Sequence, residues 1–280
     1  MLGIPTVVRG IVYEGTTRGD VLALDERDGH VLWRAFLGAN PDETYGNPRG
    51  VISSVIVRDD VAYAVSGSCE AAALDARNGA VIWKRQICSI EKNDDTFASP
   101  ALADGRVLFS VDVIADRPTD VGREIALDAA TGMRAWSFSP VRYRGTGGGI
   151  SGTPAVDTAR GIAIVATGNP TPMNAPPPGA DPYTDSAIAV DLRSGHWRWA
   201  TQLLQHDAND FDAFTSPQLF SIGSRGERIA AVGVTLKNSR YVMLDELTGK
   251  IVWQRQLVAA THWMQSVGTP AWSGSTIVRL

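Results

Sequence analysis

Short segments in which apolar and polar residues alternate recur along the whole chain, and each of them ends at an aspartate. A turn-forming stretch follows the aspartate, and a second apolar segment then runs to a tryptophan. Alternation with a period of two residues is the pattern of a β-strand, and no segment shows the period of a helix. The hydrophobic pattern therefore predicts an all-β protein built from paired strands.

These segments are copies of one motif, Asp-x3-Gly-x3-Trp, in which the aspartate carboxylate can accept turn amides and the glycine can adopt positive φ. The five copies read VLALDERDGHVLW, AAALDARNGAVIW, EIALDAATGMRAW, AIAVDLRSGHWRW and YVMLDELTGKIVW. Their aspartates are Asp25, Asp75, Asp128, Asp191 and Asp245, which lie 50, 53, 63 and 54 residues apart. We predict that the five tryptophans occupy equivalent, buried positions between neighbouring units.

A second phrase, Ser-Pro or Thr-Pro, precedes the later copies at Ser99, Thr153, Ser216 and Thr269, and each one leads a further pair of strands. Each period of about 50 residues then holds four strands, which is the size of a propeller blade. Residues 1–280 are predicted to form a single β-propeller domain of five blades and the start of a sixth. Because a propeller protects its edges by closing, we expect this domain to be part of a longer ring.

Composition narrows the set of partners. The net charge is −4 and the basic residues are scattered, so no nucleic-acid partner is expected. No apolar run reaches the length of a membrane-spanning helix, and the opening residues do not resemble a secretory leader. Cys69 and Cys88 flank one copy of the motif, which leaves two alternatives open, a disulfide in an oxidising compartment or two buried thiols.

The candidate chemistry lies where the chain departs from the repeat. His206-Asp207-Ala208-Asn209-Asp210-Phe211-Asp212 places three carboxylates beside a histidine. One interpretation is a solvated acidic loop, and the other is a general base close to an oxygen-ligated cation. The phrase Thr-Gly-Asn-Pro at Asn169 is ordinary turn chemistry, although it can also supply an amide oxygen.

Together these motifs resemble those of the pyrroloquinoline quinone (PQQ) dependent alcohol dehydrogenases, a family that includes methanol dehydrogenase and poly(vinyl alcohol) dehydrogenase. TGNP, PPGADPYTDS, the fourth repeat and HDANDFDA occur in the order of that family. The resemblance implies an eight-bladed propeller that binds PQQ and Ca²⁺ and oxidises a small-molecule or polymeric alcohol. It also implies a periplasmic or secreted location and an electron-accepting cytochrome as a partner.

The resemblance assigns roles to individual residues. Asp210 falls at the catalytic base, with Asp207 behind it, and Asp210 also joins the metal ligands. Asn169 falls at a calcium ligand that borders the cofactor. Lys237 matches the basic residue that contacts the quinone oxygens, and Arg49, in an Arg-Gly pair, matches a contact to the acidic groups of the cofactor. Without the resemblance, Lys237 and Arg49 are equally well read as solvent-facing charges at a blade rim.

Three positions depart from the family. Ser151 replaces the tryptophan that lies under the quinone ring, and Asn209 replaces the tryptophan before the catalytic aspartate. The calcium-binding glutamate should fall near Ala115, where the nearest carboxylates are Asp112 and Asp116. We take Asp116 as the candidate third metal ligand.

These departures keep a second function open. A propeller that has lost its cofactor could serve as a binding or assembly scaffold, as outer-membrane assembly lipoproteins with the same repeat do. Ser151 favours the scaffold, whereas HDANDFD, TGNP and Lys237 favour the enzyme.

Overall fold

Each of the five repeat motifs forms the third and fourth strands of an antiparallel sheet. The computed structural model describes residues 3–41, 48–113, 121–141, 146–172, 183–213, 215–224, 227–259, 271–272 and 277–278. Within them lie five antiparallel sheets whose four strands follow chain order, so the predicted β-propeller of four-stranded blades is confirmed. The structure does not by itself fix the number of blades in a closed ring.

The first two blades contain eight strands. They are β1 (Thr6–Val8), β2 (Ile11–Gly15), β3 (Asp20–Asp25), β4 (Val31–Phe36), β5 (Ile56–Arg58), β6 (Val61–Val65), β7 (Glu70–Asp75) and β8 (Val81–Gln86). A 3-10 turn at Ile90–Lys92 then leads to the third sheet. That sheet comprises β9 (Asp94–Asp95), which pairs with β11, and the blade strands β10 (Ala101–Ala103), β11 (Arg106–Val113), β12 (Arg123–Asp128) and β13 (Arg134–Phe138).

The last two blades and a short final pair complete the described strands. They are β14 (Ala155–Asp157), β15 (Ile162–Ala166), β16 (Ser186–Asp191), β17 (Trp197–Gln202), β18 (Gln218–Ser224), β19 (Glu227–Thr235), β20 (Arg240–Asp245), β21 (Ile251–Gln256), β22 (Ala271–Trp272) and β23 (Ile277–Val278). No described helix is long and apolar enough to cross a membrane.

The aspartate of each repeat closes the turn between the third and fourth strands. In the first blade, Asp25 Oδ1 accepts the Arg27 amide at 2.9 Å, and the Gly29 amide donates to the Asp25 carbonyl at 2.8 Å. Asp75 of the second blade binds Arg77 in the same way. In the third, fourth and fifth blades a hydroxyl takes the place of the arginine, and Asp245 Oδ1 accepts both the amide and the hydroxyl of Thr248. The carboxylate thus supplies the acceptor that the turn amides need.

Three of the repeat tryptophans, Trp33, Trp83 and Trp199, join their blade to the next one. Each of the five lies on the fourth strand of its blade, as predicted. Indole nitrogens donate to the carbonyl of the residue that follows the next repeat aspartate. The pairs are Trp33 with Ala76 (2.9 Å), Trp83 with Ala129 (2.9 Å) and Trp199 with Glu246 (2.8 Å). The predicted burial holds for Trp33, Trp83 and Trp136, but Trp253 is 39% exposed.

The repeat glycine makes room for that tryptophan. A Cβ on Gly79 would lie 2.7 Å from the Trp33 ring, and Gly132 and Gly249 have the same relation to Trp83 and Trp199. The glycine therefore serves two purposes. It leaves space for the indole ring, and it adopts the positive φ that the turn needs, which is +73° at Gly79.

The serines and threonines before the first strands form a second connection between blades. Ser99 Oγ accepts the amide of Ser54 at 2.9 Å, and Ser216 Oγ accepts the amide of Thr153 at 2.9 Å. The donor and acceptor occupy equivalent positions of consecutive blades, which explains why Ser or Thr recurs there.

The contacts between residues divide the chain into two units. One consists of residues 1–114 and 124–137, and the other of residues 115–123 and 138–280. Apolar clusters pack between blades one and two and between blades two and three in the first unit, and between blades four and five in the second. That residues 1–280 form one propeller domain stays a prediction.

The two cysteines form a disulfide, which decides between the alternatives left open by the sequence. Cys69 lies in the turn before β7 and Cys88 follows β8, so the bond joins the start of β7 to the end of β8, which lie side by side at one end of the second blade. The pair is separated by 19 residues. A bond across a loop of this size is typically worth about 3 kcal/mol of stability, chiefly through the unfolded chain.

Candidate functional site

The acidic loop between β17 and β18 is organised by Asp207. Its two carboxylate oxygens accept the amides of Asn209 at 2.9 Å and Phe211 at 2.6 Å. His206 and Asp210 adopt φ values of 51° and 61°, a conformation that needs such support in residues other than glycine. Asp207 is buried, so the loop is not a wholly solvated acidic segment. The hydrogen bonds of Asp207 fix the shape of the loop and thereby position Asp210.

Lys237 joins this loop to the turn between β19 and β20. Its ammonium nitrogen lies 2.7 Å from Asp210 Oδ1 and 2.8 Å from Asp212 Oδ1, and its backbone amide donates to the Asp212 carbonyl at 3.0 Å. Burial alone would lower the pKa of Lys237, but the carboxylates of Asp212 and Asp210 more than offset it and raise the pKa above its ordinary value. Lys237 is therefore a buried cation and not a rim charge.

The three side chains differ in how far solvent reaches them. The Asp210 side chain is 23% exposed, whereas the side chains of Lys237 and Asp212 are 8% and 6% exposed. Asp210 is consequently the member of this group that an incoming molecule can reach.

The Thr-Gly-Asn-Pro segment lies against the same carboxylates. Gly168 follows β15 and donates its amide to the Gly149 carbonyl at 2.7 Å. A Cβ added to Gly168 would lie 2.9 Å from Asp212 Oδ2, so the absence of a side chain lets the carboxylate approach. Asn169 is half-buried and its side-chain nitrogen donates to the Pro170 carbonyl at 3.0 Å, which leaves the amide oxygen as the atom suited to a cation.

Asp185 is a further acidic residue of this region that the sequence analysis did not single out. Its amide donates to the Gly168 carbonyl at 2.9 Å, and its own carbonyl accepts the Leu203 amide at 2.8 Å. The residue is completely buried, and among the described residues neither carboxylate oxygen has a hydrogen bond of normal geometry, although the Thr184 side chain interacts with the carboxylate and favours its charged form. Burial raises its pKa well above the usual range, and the charges of Asp212 and Asp207 raise it further.

The described residues of this group fit a bound cation. The ammonium of Lys237 contacts the carboxylates of Asp210 and Asp212. Asp185 and Asp207 are two further buried acidic residues whose pKa values respond to the charges of this group. Carboxylate and amide oxygens are the ligands that hard cations such as Ca²⁺ prefer. The buried carboxyl of Asp185 and the close approach over Gly168 are features that an ion in this space would explain. We refer to these four aspartates with Lys237 and Asn169 as the carboxylate cluster.

Comparison with known proteins gives the family. The profile of the glucose/ethanol/alcohol dehydrogenase β-propeller domain, named for PQQ, matches residues 91–263, which is more than half of the chain. The chain belongs to this family. A profile of the outer membrane protein assembly factor BamB matches residues 1–115. The resemblance inferred from the sequence motifs is thereby confirmed.

Two curated relatives and one solved structure illustrate the similarity. Lupanine 17-hydroxylase [cytochrome c] of Pseudomonas sp. is 26% identical over 90% of this chain and 41% of its own length. Polyvinylalcohol dehydrogenase of a Sphingopyxis strain is 30% identical over 73% of this chain and 34% of its own length. Quinohemoprotein alcohol dehydrogenase ADHIIG of Pseudomonas putida superposes with a TM-score of 0.83 at 22% identity, covering 92% of this chain and 42% of its own.

The similarity covers only part of each of these three proteins. The chain spans less than half the length of each of these three proteins. The structural likeness is evidence for the quinoprotein propeller fold, and the activity of the whole protein remains to be proposed.

Arg49, the other basic residue matched to the quinoprotein family, lies in the first unit. It is buried, its Nε pairs with the carboxylate of Asp95, and its backbone forms two hydrogen bonds with Asn40. Burial raises the pKa of Asp95 to about 6, even though the guanidinium opposes this shift. The alternative interpretation of Arg49 as a solvent-facing charge at a blade rim is therefore wrong.

The sequence also predicts a third metal ligand near Ala115, with Asp116 as the candidate. Asp116 and Ala115 lie outside the described residues. Asp112 is described, and its Oδ1 accepts the amide of Val113. Ser151 is half-buried in the segment that follows Gly149. Its match to the family's aromatic position stays a prediction.

A second group of possible ligands lies in the first turn. Asp25, Asp28 and His30 bring three ligand atoms within 4.8 Å of one another. Asp25 is already paired with Arg27 at 2.7 Å, and the other two side chains are more than half exposed. This group is therefore a poorer candidate for a cation than the carboxylate cluster.

Proposed function

We propose that this chain is the part of a quinoprotein oxidoreductase that carries the catalytic base and the cation site, and that the enzyme oxidises an alcohol. The observation that carries the proposal is the contact of Lys237 with both Asp210 and Asp212. It unites two distant segments around an accessible carboxylate, and both segments match the family at these residues. A scaffold without chemistry has no evident need for this buried arrangement.

Asp210 is the proposed general base. Its Oδ1 accepts the ammonium of Lys237 at 2.7 Å, so Oδ2 is the oxygen that would take the proton of a substrate hydroxyl. Lys237 holds the carboxylate in one orientation, and Asp207 holds the backbone beneath it through the amides of Asn209 and Phe211. The partial exposure of Asp210 provides the path for the alcohol.

The cofactors in this proposal are PQQ and a cation such as Ca²⁺. PQQ, when bound, accepts the hydride from the alcohol carbon. Loss of this hydride and of the hydroxyl proton converts the alcohol to an aldehyde or ketone. Asp210 and Asn169 would hold the cation, with Asp116 as a further ligand. Lys237 would donate to the quinone oxygens, and Arg49 would neutralise a carboxylate of the cofactor.

The wider setting is also a proposal. The substrate would be a small or polymeric alcohol, and an electron-accepting cytochrome would serve as partner. A periplasmic or secreted location is supported by the Cys69–Cys88 disulfide, because such bonds persist in oxidising compartments.

The test is alcohol-dependent reduction of an artificial electron acceptor by the full-length protein supplied with PQQ and Ca²⁺. Asp210→Asn should lower the rate by about 10²- to 10⁴-fold, because it removes the base while keeping the shape of the side chain. The thermal shift caused by PQQ and Ca²⁺ should remain in this variant, because other residues also hold them. Asp60→Asn is the control, since Asp60 is an exposed aspartate paired with Arg9 on the surface. Equal rates for the wild type and Asp210→Asn would contradict the proposal.

A scaffold function is the second candidate. Two observations favour it, namely Ser151 at the stacking position and the match of residues 1–115 to the assembly factor BamB. This candidate predicts no thermal shift by PQQ and Ca²⁺ at millimolar concentration. It also predicts that Ser151→Trp, which restores an aromatic platform, leaves PQQ binding undetectable.

A further inference from the structure

Asp185 has no evident reason to be buried as a scaffold residue. It immediately precedes β16, next to the buried hydroxyl residues Thr184 and Ser186, and it is completely buried. A buried carboxyl without good hydrogen bonds destabilises a fold, so natural proteins rarely keep one without a compensating use. The described residues supply no cation as its partner.

The surroundings of Asp185 point to the carboxylate cluster. The Asp185 amide binds the carbonyl of Gly168, and the Asp212 carboxylate approaches the Cα of the same glycine. The two aspartates thus flank one residue of the Thr-Gly-Asn-Pro segment. Asp212 and Asp207 are the nearby charges with the strongest influence on Asp185, whereas Lys237 affects it less.

We infer that Asp185 is a further carboxylate of the cation site, which raises the affinity of the site and its preference for cations of higher charge. The inference rests on the proposed function, because it concerns the same cation. A bound cation would supply the positive charge that this buried group lacks, directly or through a water molecule. The sequence analysis did not assign Asp185 this role.

The experiment measures cation binding alone, without cofactor or substrate. Ca²⁺ binding is followed by calorimetry and Tb³⁺ binding by luminescence, in wild type, Asp185→Asn and Asp185→Ser. Both variants should bind Ca²⁺ at least about 10-fold more weakly. The loss should be larger for Tb³⁺, because a trivalent ion gains more from each added negative charge.

Stability without cation separates this role from a structural one. Asp185→Asn should raise the melting temperature of the cation-free protein by roughly 2–4 °C, since it removes the desolvation cost of a buried carboxyl group. A residue kept only for the fold would give the opposite result, namely a lower melting temperature with unchanged cation affinity.

The matched control is Glu124, another completely buried carboxyl. It lies on β12, and one of its oxygens accepts the Ser110 hydroxyl at 2.7 Å. Glu124→Gln should leave Ca²⁺ and Tb³⁺ affinities within about twofold of wild type. The comparison shows whether removing any buried acid is enough to weaken the site.

Three outcomes would overturn the inference. If the wild type binds both ions and Asp185→Asn and Asp185→Ser bind them equally tightly, only the role of Asp185 fails. If Glu124→Gln weakens binding as much as the Asp185 variants, the effect is not specific to Asp185. If the wild type binds neither ion at millimolar concentration, the cation of the proposed function fails as well.

Discussion

Lys237 is bound to Asp212 twice, once through its backbone amide and once through its ammonium group. The amide donates to the Asp212 carbonyl at 3.0 Å, and Nζ lies 2.8 Å from the carboxylate of the same residue. The acidic loop and the turn after β19 are therefore held together by both the backbone and the side chain of Lys237. Substitution of Lys237 should therefore affect the stability of both segments.

The first prediction concerns the charge balance of this contact. Lys237→Met should lower the free energy of unfolding by about 3–5 kcal/mol, because it leaves the carboxylates of Asp210 and Asp212 without their cation. Urea unfolding measures the loss. Excess Ca²⁺ should restore part of it, since the ion can replace the missing positive charge.

The control for this prediction is Arg9→Met, which breaks the exposed ion pair with Asp60 and should cost about 0–1 kcal/mol. A loss at Lys237 no larger than the loss at Arg9 would mean that the cluster does not depend on the lysine.

The second prediction concerns the double purpose of the repeat glycine. Gly79→Ala should destabilise the protein more than Gly105→Ala, by about 1–3 kcal/mol, because its Cβ would meet the Trp33 ring at 2.7 Å. The two glycines have nearly the same φ, +73° and +72°, but nothing lies within 4 Å of a Cβ on Gly105. Chemical denaturation of both variants separates backbone strain from the clash. Equal losses would show that the tryptophan contact is unimportant.

The third prediction concerns pH and the packing of blade four on blade five. Glu246 is buried beside Asp157, and Arg160 lies 3.8 Å from its carboxylate. Burial and a hydrogen bond to Asp157 raise the pKa of Glu246 from 4.5 to about 7. The folded protein therefore keeps a proton that the unfolded chain releases near pH 4.5.

Stability from this group should consequently be complete below pH 4.5 and fall as the pH rises to about 7. Unfolding free energies between pH 4.5 and 8 should show a decline that is smaller in Glu246→Gln, with a difference of at least ~1 kcal/mol. A wild type and variant with parallel pH profiles would exclude Glu246 as the titrating group.

The blades could be predicted from the sequence because their determinants are local and repeated. The turn aspartate, the glycine and the tryptophan lie within nine residues of one another, and five copies reveal their spacing. The exposure of Trp253 could not be predicted in this way, because the burial of a repeat tryptophan depends on contacts outside its own motif. The sequence could not decide whether the disulfide forms, because this depends on how close Cys69 and Cys88 lie in the folded blade.

The site was predictable only in part. Asp210 and Lys237 could be named because they lie in recognisable phrases, but their direct contact joins residues 27 positions apart. Asp185 escaped notice because an aspartate before an apolar strand is also the ordinary sign of a turn. Its meaning comes from burial beside Gly168, which a single sequence does not show. The ion pair of Arg49 with Asp95 is another contact between segments that carry no shared pattern.

The most direct test of the account is the location of a cation in crystals of the full-length protein soaked with Tb³⁺, using its anomalous scattering. We predict a peak bounded by the oxygens of Asp210 and Asn169, at the short distances typical of hard cations, with Asp212 and Asp185 close by. The strongest peak at the turn of Asp25, Asp28 and His30, with none at the carboxylate cluster, would contradict the account.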